Sequence, residues 1–229
     1  MSHVVVLAGG SPHAHDFAAS GAALADLAAG AGYEVCRVDH PDRAAELLGD
    51  GVDALVVCGL WWQMHGEAYV AWRDEHAYSP SEHTRDTLAS FVDTGGGMLA
   101  VHTAPVCFDD WPEWGAIVGG AWQWGTSSHP PYGPVRAAVV GDHPVVAGLA
   151  DTIELHDEVY GDLAVRDDVD VLATARRDPL DDDQPVMWAH QYGRGRVVFN
   201  AFGHDADSIA HPHNARVLTQ ALAWITEVE

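Results

Sequence analysis

The chain contains no lysine: its 11 basic residues are all arginines, set against 34 aspartates and glutamates. Without lysine there is no Schiff-base catalysis, no covalently held pyridoxal phosphate and no phosphate-binding-loop lysine. The net charge of −23 repels polyanions, which excludes nucleic acid and anionic membrane surfaces as partners. Cysteine is scarce too. Cys36, Cys58 and Cys107 form neither a CxxC pair nor a disulfide framework, and the first two fall inside apolar runs that read as core. No apolar run is long enough to span a bilayer, and the Met-Ser-His-Val-Val-Val start carries no basic, signal-like segment. The expected location is the cytoplasm. Gly9-Gly10 lacks the GxGxxG register, so no nucleotide cofactor is expected.

What is present is ample core. The 229 residues are 48% hydrophobic, enough for one domain spanning residues 1–229. Apolar runs at 4–8, 54–58 and 98–101 read as strands, the first buried on both faces, and 34–38 reads as a further strand. Ala/Leu-rich or periodic stretches at 17–31, 43–48 and 80–94 read as the helices between them. This alternation predicts an α/β fold with a mainly parallel central sheet flanked by helices. Residues 105–134, rich in Trp, Gly and Pro, are expected to be irregular. Further strands are expected at 135–140, 170–175, 186–190 and 196–202, the last two paired as a hairpin across Gly193-Arg194-Gly195. A closing helix is expected over 212–226. A symmetric homo-oligomer is the expected assembly.

The chemistry-bearing feature is Gly95-Gly96-Gly97-Met98-Leu99-Ala100-Val101-His102. A glycine-rich turn enters an apolar strand that ends on a histidine, at the carboxyl edge where open α/β sheets bind ligands. Nucleophile-elbow enzymes carry Ser or Cys at such a tip. There are 15 histidines, and four predicted strand ends deliver one to the same rim: His13 or His15, His65, His102 and His204. Neutral imidazole with carboxylate suits zinc, iron or nickel. Between the two groups of strands, Asp157-Glu158-Val159-Tyr160 offers a metal ligand, a general base or a hydroxyl acceptor. It also reads as an acidic turn on an acidic protein. No HExxH or Cys/His spacing is present, so any metal site is assembled by the fold. Trp122, Trp124 and His129 lie in a glycine-rich aromatic stretch suited either to sugar stacking or to core.

In order along the chain, these segments resemble the trehalose-utilisation (ThuA-like) family. The segments are GGGMLAVHTA at 95–104, Gly119-Gly120-Ala121-Trp122 through His129, His143-Pro144 through Leu149, Asp157 through Tyr160, Gly193 through Val197, Phe202-Gly203-His204 and Ala223-Trp224. The resemblance implies a class I glutamine amidotransferase-like (flavodoxin-like) fold in which His102 replaces the amidotransferase cysteine. Cys107 lies too far along to substitute for it, so glutamine hydrolysis is not implied. The family is associated with sugar catabolism, often beside dehydrogenases that oxidise a ring hydroxyl to a ketone, and relatives hold a metal at the histidine-rich rim. The resulting expectation is a protein that processes trehalose-like disaccharides or their keto derivatives. Its catalytic groups would be His102, Asp157, Glu158 and His204. Trp62, His65, His129 and Tyr160 would bind substrate, and His102, Glu158 and His204 would hold a divalent metal, zinc foremost. Two rivals stand beside it: a non-catalytic carbohydrate-binding or regulatory module, and a metal-free hydrolase using Ser127 or Ser128.

Overall fold

The uninterrupted apolar runs form the buried middle of a sheet. The computed structural model describes residues 2–11, 13, 15–49 and 51–227. In it β1 (His3–Gly10), β2 (Glu34–Val38), β3 (Ala54–Leu60) and β4 (Gly97–Val101) are parallel neighbours, and every residue of β3 and β4 is buried. Four helices connect them: α1 (Phe17–Gly30), α2 (Pro41–Leu47), α3 (Val70–His76) and α4 (Glu82–Asp93). The Asp16 carboxylate accepts from Ala19 N–H at 3.0 Å and caps α1. That cap fixes where the segment carrying His15 leaves β1.

Downstream of α5 (Pro112–Val118) come β5 (Gly120–Ala121), β6 (Gly133–Val139), β7 (Thr152–Asp157), β8 (Ala164–Val165), β9 (Asp170–Ala175), β10 (Gln184–Tyr192) and β11 (Gly195–Asn200), then α6 (Ala206–Ala210) and α7 (Pro212–Thr226). The nine-stranded sheet runs β2-β1-β3-β4-β11-β10-β9-β6-β7, with β5 and β8 as a separate pair. It is parallel as far as β11, and the pairs beyond β11 are antiparallel. The architecture is a mixed α/β domain. The expected hairpin is β10–β11. The closing helix has the expected bounds, starting on Pro212 at its first turn and burying Val217, Leu218, Ala221, Leu222 and Ile225.

Three segments depart from the sequence reading. Residues 105–134 are not wholly irregular: Pro112 opens α5 and Gly119, at φ 86°, closes it as a left-handed cap. The acidic stretch at 154–160 is not simply a turn: as far as Asp157 it belongs to β7, with Ile153, Leu155 and Asp157 buried, and Glu158 to Tyr160 follow the strand without regular structure. The Trp/His-rich loop after β3 contains α3.

The sheet also bends. β7 lies four places from β11, roughly 19 Å along a flat sheet. Yet Asp157 Oδ2 accepts from Gly203 N–H at 2.8 Å, just past β11. The antiparallel half therefore curls back over the carboxyl edge of the parallel half.

Candidate functional site

His102 follows β4 directly and adopts φ 51°, in the left-handed region. A non-glycine residue there costs of order 1–3 kcal/mol and persists where its surroundings over-determine it. Those surroundings are visible. His102 N–H donates to Asn200 O at 2.8 Å, and Nδ1 lies 2.7 Å from Ala201 O. The second bond puts the proton on Nδ1 and leaves the Nε2 lone pair free to face inward. Tyr160 O–H donates to that lone pair at 3.1 Å. The chain then enters a 3-10 turn, Ala104–Val106, in place of an α-helix.

The other groups arrive from both halves of the sheet. His15 follows β1 and His204 follows β11, and one ring nitrogen from each of His15, His102 and His204 lies within 4.8 Å of the others. Glu158 comes from the end of β7, and its oxygens sit 3.6 Å from His102 Nε2, 3.5 Å from His204 Nδ1 and 3.3 Å from His129 Nδ1. From the sequence His15 is one of several rim histidines. The structure makes it the third member of the imidazole cluster, with Glu158 facing that cluster.

Asp157 plays a different part from its neighbour. Its Oδ1 accepts from Glu158 N–H, and its Oδ2 accepts from Gly203 N–H, His204 N–H and the Ser208 hydroxyl. With His102 Nδ1 3.7 Å away, the fully buried carboxylate pins the segment that carries His204. Asn200 and Asn214 complete the support: the Asn214 amide donates to Phe202 O and Ser208 O, and Asn200 Oδ1 accepts from Phe202 N–H.

These groups open on a cavity of about 240 Å³ lined by His15, Thr103, His129, Glu158, Tyr160 and His204, with Trp62, Met64, Trp122 and Trp124 as aromatic and apolar walls. Two wider grooves of about 990 and 980 Å³ are open depressions. The first lies at the opposite, amino-terminal edge of the strands and has none of these groups, and the second reaches only His13 and His15. His65 is not brought in. It is exposed and bonds Gln63 Oε1 at 2.6 Å, while Met64 beside it, at φ 54°, turns into the cavity. Trp62 is buried on the wall, and its indole N–H has no hydrogen-bond partner. Ser127 Oγ donates to Asp162 O, so its hydroxyl serves the backbone, and Ser128 pairs with Gly161 through its main chain. Cys107 is buried with its thiol pushed up to about 12 by burial, so it holds no thiolate at neutral pH.

Electrostatically the site separates its histidines. Burial, aided by the other imidazoles, lowers His15 to about 3, and burial lowers His102 to about 4 despite the Glu158 charge. His204 is raised, chiefly by Glu158. Burial pushes Glu158 up but is outweighed by His204, His102 and His129, so its carboxyl lies below the usual value. Burial raises Asp157 to about 6 against its hydrogen bonds, and raises Tyr160 well above a free phenol. Three observations suit a divalent cation held by imidazoles: the fixed Nδ1–H tautomer of His102, the neutral state of His15 and His102, and a buried His204 Nδ1 with no hydrogen bond shorter than its 3.5 Å ion-pair contact.

Acid sensitivity follows. His15 and His102 titrate at about 3 and 4 when folded against about 6.5 when unfolded. The stability gained by keeping them neutral is complete above pH ~6.5 and is lost as pH falls toward 4. Asp157, raised to about 6, runs the opposite way but offsets only one of the two protons. The thermal midpoint is expected to drop steadily from pH 6.5 to 4.5, and a flat or rising midpoint would contradict the assignment. A bound cation strengthens the trend, because it competes with protons for the same nitrogens.

Known proteins place this arrangement. The family model described as trehalose utilisation (ThuA) matches residues 3–225. A ThuA-like protein from Parabacteroides merdae has a similar structure, with TM-score 0.78 and 19% identity over 98% of this chain and 90% of that one. One from Bacteroides uniformis gives TM-score 0.74 and 18% identity, covering 98% and 91%. A protein from Salmonella typhimurium LT2, described as cytoplasmic, gives 0.68 and 13%, covering 99% and 100%. A search of curated proteins gives no match. Among the described residues no helix is long and apolar enough to cross a membrane. With its family model spanning β1 to α7, this chain belongs to the ThuA, trehalose-utilisation, family.

Proposed function

We propose that the protein processes a small carbohydrate, a trehalose-like disaccharide or its keto derivative, by moving a proton at a carbon next to a carbonyl. The observation that carries this reading is Glu158. A carboxylate with its side chain 8% exposed faces three imidazoles at 3.3, 3.5 and 3.6 Å on the wall of a cavity, and they hold it in the ionised state a base requires. The family's description supplies the substrate class.

His15, His102 and His204 would hold the divalent cation, zinc being suited to neutral imidazoles. Bound there, it supplies Lewis-acid polarisation of a carbonyl oxygen. Glu158 takes the proton from the carbon beside the ketone, where the carbonyl has made the C–H acidic. It returns that proton to the former carbonyl carbon in an isomerisation, in which the proton of the neighbouring hydroxyl passes to the original carbonyl oxygen, or to the departing oxygen in an elimination. Tyr160 stays protonated at neutral pH and donates a hydrogen bond to the oxygen on which charge develops. His129, half-exposed beside Glu158, binds a ring hydroxyl, and Trp62 walls the ring. Asp157 acts through position, by holding Gly203 and His204. We place the protein in the cytoplasm as a homo-oligomer, a state that sedimentation reads directly.

Incubation with keto-trehalose in deuterated water tests the reading. The expected result is deuterium incorporation beside the carbonyl and new sugar resonances, suppressed by a chelator and restored by zinc, with stoichiometric metal in the untagged protein. Sugar left unchanged and unlabelled under every divalent metal would overturn it.

A further inference from the structure

The cavity is polar at its floor and aromatic at its mouth. Its 240 Å³ falls short of the about 300–1,000 Å³ that encloses a drug-sized ligand: one hexose ring fits and two do not. A disaccharide gripped at the floor must leave its second ring outside.

What waits outside is not an ordinary polar rim. Trp72 and Trp124 both border the cavity and are 39% and 47% exposed. They come from separate elements, Trp72 from α3 and Trp124 from the loop between β5 and β6. Each is braced from one side. Trp124 stacks on the buried Trp62 with ring centres 4.6 Å apart and planes 13° from parallel, meets Trp122 edge to face at 6.1 Å, and still keeps 47% of its surface exposed. Trp72 lies against the His13 ring at 4.3 Å. The other large hydrophobic side chains exposed among the described residues are Val70 and Tyr132. Val70 shares α3 with Trp72, and Tyr132 packs on His204 at 4.6 Å. Of these four exposed side chains, the two tryptophans are the ones that border the cavity.

A protein partner is a poor occupant for it. Tryptophans bury at most about 250 Å² each, so two half-covered ones offer far less than the about 800 Å² per side of a stable interface. Flat, part-exposed indoles braced by neighbouring rings beside a sugar-sized cavity suit the C–H face of a pyranose.

We propose that Trp72 and Trp124 form a second sugar subsite, and that the substrate is a two-ring glycoside with one ring enclosed beside Glu158 and the other held on the tryptophan faces. This rests on the carbohydrate reading above. The outer ring is then recognised by its apolar face and not by individual hydroxyls, so the site tolerates different sugars in that position while remaining strict about the inner one.

Titration calorimetry with trehalose and with glucose, on the intact zinc-loaded protein, separates the two subsites. The wild type is expected to bind trehalose more tightly than glucose. Trp124→Ala and Trp72→Ala should each weaken trehalose about fivefold, the scale of one aromatic stacking contact, and narrow its advantage over glucose. Trp124→Phe, which keeps a flat face, should recover most of the loss. Variants that weaken both sugars equally, or neither, overturn the second subsite and leave the carbohydrate reading standing. A wild type that binds neither sugar overturns both. Variants that elute as smaller assemblies than the wild type would assign the patch to self-association and overturn the proposal in that way.

Discussion

Glu158→Gln is expected to cut turnover of the keto-sugar by about a thousandfold, within the 10²–10⁴ range of a general base, while sugar binding survives. The amide keeps the shape and one acceptor oxygen of the carboxylate but cannot take a proton. Its neighbours remain in place, since Asp157 anchors His204 through the Gly203 and His204 N–H groups and Ala201 O holds His102. A variant with a normal KM and a collapsed kcat would match this role. Retention of more than a tenth of wild-type turnover would move the base elsewhere.

Asp157→Ala should do the reverse, acting first on stability. Its carboxylate is 0% exposed and accepts from three backbone N–H groups and one hydroxyl. Alanine leaves those donors buried without acceptors, at about 1–3 kcal/mol for each that finds no substitute, so a loss of about 4 kcal/mol is expected in urea unfolding. Asp157→Asn should cost less, because one acceptor oxygen survives, although its amide N–H₂ meets donors on one side. A loss below about 1 kcal/mol for the alanine variant would show that the segment does not depend on this anchor. Residual activity in folded Asp157→Asn protein would separate the anchoring role from proton transfer.

Much of the framework was legible because core strands and long helices carry redundant signals. β1, β3 and β4 are continuous apolar runs closed by glycine or histidine, and α7 combines Pro212 at its start with buried residues three and four apart. β7 was hidden because its alternation, Ile153–Leu155–Asp157, ends with a carboxylate in an inward slot. α5 was hidden by brevity and by its Trp/Gly content, although Pro112 and Gly119 mark its two ends. Within the site, the strand-end rule pointed to His102 and His204, since parallel strands deliver their carboxyl ends to one edge, but it did not separate His15 from His13. It put His65 on the rim, where the structure turns Met64 inward instead, a choice made by a single left-handed residue. Nor does any local pattern encode the bend that carries Glu158 from the far strand to that edge.

The pairing of β4 has a consequence for how the protein is made. β4 lies between β3 and β11, and its second partner is the 195–200 segment, translated about a hundred residues later. Throughout that interval the growing chain displays Met98 through Val101 as an unpaired, wholly apolar edge, the kind of template on which chains stick to one another. His102 cannot be set in its orientation until Ala201 O exists to accept its hydrogen bond, and the two are 99 positions apart. Contacts that distant form slowly. A chain that ends before β11 would therefore lack the partner for this side of β4 and leave a sticky edge where the whole chain has a paired one.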